Sequence, residues 1–330
     1  MTLIFGFFLL TLLLITGIAI VQTQNLFVSV MLSGMFSLLL AANFFLLDAA
    51  DVALTEAAVG AGISTVLLLS ALAITAKHEK APSSNSNRVV ALIVVTATAL
   101  VLIYSTFDNP RFGDPNAPVH QHVGPWYLEK TAEAIDIPNV VTAVLGSFRG
   151  YDTLGEVFVV FTAGIGVLFL LGTPPGQFAP GNPYKSNDPK GLRHYLIPRV
   201  VGRMLIPFIL LFGLYVQFHG EYGPGGGFQA GALIAAAIIL YALLEGEDLA
   251  LKVIPRGVLI GLIAGGALLY GTVGLFGIFL GSNFLDYSVL SSDSVHAQQM
   301  GLILIEAGVG ITVTGVLLSI FHAFAARGKF

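Results

Sequence analysis

Gln299–Ala325 reads QMGLILIEAGVGITVTGVLLSIFHAFA, and this run decides the class of fold. A helix crosses the hydrocarbon core of a bilayer with about 20 apolar residues. This stretch is longer than that and holds one acid, Glu306. Its apolar residues are continuous rather than alternating, which excludes a strand of a membrane barrel. Eight more such runs lie upstream, at about 3–22, 25–47, 53–76, 88–106, 152–172, 200–218, 225–245 and 256–280. The expected fold is therefore all-α, a polytopic membrane protein with about nine transmembrane helices. Composition agrees: 55% of residues are hydrophobic and 10% charged, with a mean hydropathy of +0.86, far from a soluble average.

The first two runs are separated only by the residues around Gln24-Asn25, so they form a tight hairpin. Residues 2–21 lack a basic leader and a small-residue cleavage site and read as a retained first span rather than a signal peptide. Basic residues set the expected orientation. Lys77, Lys80, Arg88, Lys185, Lys190, Arg193, Arg199, Arg203, Lys252, Arg256, Arg327 and Lys329 all fall on one side of a nine-span chain. Of the 15 Lys and Arg, only Arg111, Lys130 and Arg149 fall on the other. The positive-inside rule then puts the N-terminus outside and the C-terminus in the cytoplasm. Two loops break the regular spacing. Residues 107–151 carry five prolines, the only Trp and an amphipathic stretch, Tyr127 to Phe148, expected as a short helix at the outer interface. Residues 173–199 are rich in Pro, Gly, Asn and Lys and read as a cytoplasmic linker. The expected units are 1–172 with five spans, the linker 173–199, and 200–330 with four.

The absence of cysteine excludes disulfides, thiolate metal sites and iron–sulfur clusters held by this chain. Seven scattered histidines show no ligand spacing, so neither a metal nor another cofactor is expected. A net charge of -4 implies no nucleic-acid partner. Chemistry therefore rests on carboxylates. A carboxylate within a span costs roughly 3 kcal/mol on insertion scales, so it is retained for a partner or a task. Glu56 lies in a run of Ala and Gly, with Asp51 about a turn nearer the outer end. Asp152 and Glu156 are four apart and share a helix face, with Arg149 close by. Glu306 lies one and a half to two turns into the last span. These five are the expected ion or proton path. A fourth element is His219-Gly-Glu-Tyr-Gly-Pro224-Gly225-Gly226-Gly227-Phe228. Three glycines after a proline are not helix interior, and Pro224 is expected near the first position of the next helix. Irregular backbone at membrane depth occurs only against protein or a watery cavity. No Gly-Lys-Ser/Thr follows, so this is not a phosphate loop. No Lys or Arg stands in the middle of a span, which points to part of an ion pathway rather than a whole one.

Three motifs carry a resemblance. Asp51-Val-Ala-Leu-Thr-Glu-Ala-Ala-Val-Gly-Ala-Gly62 resembles the small D subunit of membrane-bound hydrogenases and the C-terminal part of the large A subunit of Mrp-type Na+/H+ antiporters. Asn139-Val-Val-Thr-Ala-Val-Leu-Gly-Ser-Phe-Arg-Gly-Tyr-Asp-Thr-Leu-Gly-Glu156 is similar to the segment that follows in that A subunit. His219 to Gly231 looks like the signature of the Mrp B subunit. The resemblance implies a fused subunit of a multisubunit monovalent-cation/proton antiporter, a transporter component rather than an enzyme. Implied partners are large A- and D-like subunits, a small C-like subunit, Na+, H+ and the bilayer, in a prokaryotic cytoplasmic membrane. The same module inside a complex-I-like redox enzyme, such as a ferredoxin-linked hydrogenase complex, is the alternative. Arg149, His219, Pro224, Gly225, Gly226, Gly227 and Phe228 are carried over as motif residues.

Overall fold

The computed structural model describes residues 2–79, 85–111, 113–171 and 195–326. Among these, nine helices are long and apolar enough to cross a membrane. They are α1 (Thr2–Gln22), α2 (Leu26–Leu46), α3 (Ala50–Leu72), α4 (Asn85–Thr106), α6 (Gly150–Leu171), α7 (Leu196–His219), α8 (Gly227–Glu245), α10 (Arg256–Phe279) and α11 (Ser294–Ala325). Two shorter helices, α5 (Val123–Ala134) and α9 (Glu247–Val253), connect them. The α1–α2 hairpin forms at the expected turn. Asn25 caps α2, its side-chain oxygen accepting from Phe27 N and Val28 N, which satisfies two of the donors that open a helix.

α11 is the axis of the molecule. It packs against α10, α8 and α6. Its 32 residues span about 48 Å at 1.5 Å per residue, beyond the ~30 Å hydrocarbon core. One buried cluster gathers around its first half (Tyr270, Tyr287, Leu302, Ile305) and another around its second (Ile239, Leu259, Leu318, Phe321). Lipid tails are as apolar as these side chains, so close van der Waals packing and hydrogen bonds hold the bundle, not water exclusion. Burial falls off sharply outward. The best apolar window of α11 is 61% buried, that of α1 6%, and that of α4 0%. α3 carries a π-helical stretch, Glu56–Ile63. A second one, Val144–Phe148, precedes α6. Such turns leave irregular backbone bonding and cluster at functional sites.

Four expectations change. Tyr127–Phe148 is not one interfacial helix. α5 ends at Ala134, Asp136 takes a left-handed φ of 55°, and Asn139 caps a new turn at Val140–Ala143. Ile135 and Ile137 between them join the core instead of lying on the surface. Pro224 is not at the start of a helix, because α8 begins three residues later at Gly227. Arg199 and Arg203 belong to the first turns of α7 rather than to a loop. Of the expected linker, residues 196–199 are helical; residues 172–194, with Lys185, Lys190 and Arg193, lie outside the described residues, as do Lys80, Arg327 and Lys329.

Candidate functional site

Three of the four sequence-derived features meet at one end of the bundle. The loop between α7 and α8 is their meeting point. Tyr222 N and Gly223 N bond His219 O, and Gly226 N reaches back to Val216 O at 3.1 Å, so the chain folds onto the end of α7. Gly226 then sits at φ 127°, ψ 175° as the residue before α8, a conformation open essentially to glycine alone. Gly227 lets the start of α8 touch the backbone of α11. A methyl at Gly227 would overlap the carbonyl oxygen of Glu306. That contact brings the Glu306 carboxylate against the loop: β-carbons built at Gly220 and Gly226 would lie 3.2 and 3.5 Å from its oxygens.

Asn139 ties the loop to α3. Its side-chain oxygen accepts from Val141 N (3.0 Å) and Thr142 N (3.4 Å) as a helix cap. Its Nδ2 donates to Asp51 Oδ1 (3.2 Å), Gly220 O (2.9 Å) and Gly223 O (2.9 Å). Gly225 N donates to the same Asp51 oxygen at 3.3 Å. Thr142 Oγ1 donates to Gly220 O at 2.7 Å, and Gln229 of α8 to Thr55 of α3 at 2.7 Å. Asn139, Thr142 and Gln229 are all buried. A third acid joins from the loop. Glu221 Oε1 is buried and has no hydrogen-bond partner among the described residues. Burial pushes the Glu221 carboxyl above its ordinary value, as desolvation disfavours the charged form. Glu221 directly follows Gly220, whose β-carbon position lies 3.2 Å from the Glu306 carboxylate. The arrangement is a knot of three acids and irregular backbone carbonyls, fixed by amide and hydroxyl donors. It offers hard oxygen atoms to a cation or a proton.

The other sequence-derived acids stand apart. Glu56 opens the π-helical stretch and lies over Gly60 beside Ser37 of α2. Asp152 pairs with Arg149 at 2.5 Å, and both side chains are more than half exposed. Glu156 is exposed on the outer surface of α6. The Arg149 motif is pinned from the other side: Tyr270 donates to Gly150 O (2.8 Å), Tyr287 to Gly146 O (3.0 Å) and Ser147 to Gln298 (2.8 Å). His219 stacks on Tyr215 at 4.6 Å and extends an aromatic ladder to Tyr222. Phe228 packs on the first core cluster. Sequence reading missed Glu221, Asn139, Thr142 and Gln229. All four lie inside the quoted motifs, but no spacing rule singles out a capping amide, a loop acid, a buried hydroxyl or a helix-start glutamine. Also missed was Glu245, buried at the far end of α8, with Arg199 at 3.2 Å and Arg203 bonded to it.

Residues 197–319 match a family model described as a domain related to the MnhB subunit of Na+/H+ antiporter. Residues 11–77 match the family model of the MBH D subunit, and residues 110–177 that of the MBH E subunit. A Rhizobium meliloti protein, named as a probable K+/H+ antiporter A/B subunit, is 26% identical over 90% of this chain and 32% of its own length. A Staphylococcus aureus protein named "Putative antiporter subunit mnhB2" is 30% identical over 38% of this chain and 90% of its own. Among solved structures, a chain of the Mrp complex from Dietzia sp. superposes with a TM-score of 0.76 at 25% identity, over 97% of this chain and 34% of that one. A chain of the archaeal membrane-bound sulfane sulfur reductase gives 0.55 at 29%, over 71% and 96%. The chain thus spans about a third of the length of the Rhizobium relative and of the Dietzia chain. With an MnhB unit that follows segments matching the MBH D and E subunits, the chain belongs to the family of MnhB-type Na+/H+ antiporter subunits.

Proposed function

We propose that this chain is a membrane subunit of a multisubunit Na+/H+ antiporter and that Asp51, Glu221 and Glu306 form its part of the ion path. The observation that carries the reading is their convergence on the glycine loop at Gly220–Gly226. Transporters place ion sites where a helix is broken, because unwound carbonyls and helix ends supply ligands that an intact helix keeps for itself. The start of α8 adds its positive dipole end beside Glu306. An Na+ and a proton competing for such oxygens is the elementary step of exchange. The path is incomplete within the chain, since Glu156 and the bare surface of α4 face outward. Large A- and D-like subunits and a small C-like subunit are the proposed neighbours. Arg199, Arg203, Lys252 and Arg256 gather at the end opposite the glycine loop, which supports an outside N-terminus and a cytoplasmic C-terminus in a prokaryotic inner membrane.

The test is Na+/H+ exchange in everted vesicles from an antiporter-deficient host. The whole complex should exchange, the complex lacking this chain should not, and Glu306→Gln should abolish or strongly reduce exchange in an assembled complex. Unchanged exchange and an unchanged pH profile in Glu306→Gln would remove the acid from the path. The MBH matches and the sulfane sulfur reductase neighbour favour a second reading, a place in a redox-driven complex. Co-purification with iron–sulfur proteins, rather than with antiporter-like chains alone, would decide for it.

A further inference from the structure

The opposite end of α11 holds a polar pair that the ion path does not use. His322 lies 16 residues beyond Glu306, about 24 Å along the helix axis. Its side chain is 4% exposed, and its Nδ1 stands 3.6 Å from Oε1 of Glu247, whose side chain is 28% exposed. Both atoms are closed off from solvent, and neither has a hydrogen-bond partner among the described residues. Glu247 is the first residue of α9, and the residue before it, Gly246, holds a φ of 97°. α9 rests on the bundle through Ala250, 1% exposed.

Other charged and titratable groups lie around this pair. Glu245 on α8 is occupied by Arg199 and Arg203 from α7. Tyr241 lies one turn earlier on α8 and Arg256 opens α10. On α9 itself Asp248 and Lys252 are exposed, and so are Lys77, His78 and Glu79 beyond α3. The nearby ends of α3, α6 and α11 carry no other titratable side chain among the described residues. Arg327 and Lys329 are outside the described residues.

A neutral imidazole sets no charge against the Glu247 carboxylate. One added proton gives the ring a cation to set against it and an N–H to donate. We propose that His322 and Glu247 form a proton-binding latch, in which the protonated imidazole holds α9 on the last span and the neutral one lets α9 move about Gly246. A base that gains a partner when protonated keeps it in acid and loses it as pH rises, so the latch is closed at low pH and opens as pH rises.

The chain has no cysteine, so Val253→Cys, at an exposed position of α9, supplies its only thiol. Its initial labelling rate by a soluble maleimide is read in membranes holding the assembled complex, from pH 6 to 8. Normalising to Lys77→Cys at the same end removes the thiol's own titration. The normalised rate should rise with pH and should lose its pH dependence in both His322→Gln and Glu247→Gln. A flat profile in the parent overturns the latch, as does an unchanged profile in either variant. If His322→Gln does not assemble, Glu247→Gln decides alone. Labelling needs no exchange, so an inactive complex with an intact profile would refute the antiporter reading and leave the latch standing.

Discussion

Asn139→Ala removes the side chain that joins α3, the short helix at Val140 and the glycine loop. Its losses can be added from the contacts. The cap on Val141 and Thr142 is worth about 1 kcal/mol. The bond to the Asp51 carboxylate is worth about 1.5–3 kcal/mol, and that to Gly223 O about 1 kcal/mol. Gly220 O keeps its bond from Thr142, so little is lost there. The total is about 3.5–5 kcal/mol, a large share of the ~5–15 kcal/mol that stabilises a typical domain. The assays are the thermal stability of the solubilised complex and its exchange in vesicles. Asn139→Asp separates packing from electrostatics. It keeps the capping oxygen but removes three donated bonds and adds a charge beside Asp51. Exchange should fall further in Asn139→Asp than in Asn139→Ala, although the cap survives. Wild-type stability and exchange in Asn139→Ala would refute the account of Asn139 as the tie. Wild-type exchange in Asn139→Asp would refute the electrostatic role of the cluster.

Glu156→Gln should strongly reduce exchange in an assembled complex, whereas Asp152→Asn should change stability by less than about 1 kcal/mol, because its pair with Arg149 is exposed; equal effects on exchange would contradict the distinction. Gly227→Ala forces a methyl onto the backbone of Glu306, with Val309 Cβ at 2.9 Å, and should cost about 1–3 kcal/mol and disturb assembly. Gly261→Ala, with nothing within 4 Å of the new methyl, should be neutral or stabilise by up to about 1 kcal/mol; native-gel yields of the two variants make the comparison. Asp286 is held below the ordinary carboxylate range chiefly by the Ser282 hydroxyl, then by Ser288. A depressed acid contributes stability above its unfolded pKa and loses it as pH falls, so Asp286→Ala should destabilise by about 1–2 kcal/mol at neutral pH and converge on wild type in acid, read by thermal melts across pH.

The spans were legible because hydrocarbon accepts no unpaired backbone, which forces each crossing to show as one long apolar run. The α1–α2 turn was legible for a similar reason: Asn25 is a capping residue between two such runs. What the sequence did not reveal is which polar groups would meet. Asp51, Gly220 and Glu306 converge through the close approach of Gly227 to the α11 backbone, and a missing side chain does not name the helix it will touch. The break at Asp136 was hidden by continuous amphipathic character through Phe148. Only the left-handed Asp136 and the cap at Asn139 mark it. Glu245 looked like a helix end until α7 extended back far enough to bring two arginines to it.

α4 leaves its best apolar window wholly uncovered, and α1 nearly so, while α8 and α11 bury most of theirs. Its C-terminal helices pack mostly within the chain, whereas its outer helices and Glu156 present their surfaces to the bilayer or to the proposed neighbours. An orphan copy carries an uncompensated acid against lipid at a cost of several kcal/mol, the kind of flaw that membrane quality control detects. On the proposed assembly, an unassembled copy is expected to be shorter-lived than an assembled one, as a pulse-chase with and without the neighbouring subunits would read. In the proposed complex, matched subunit numbers would then follow from selective survival rather than from matched synthesis.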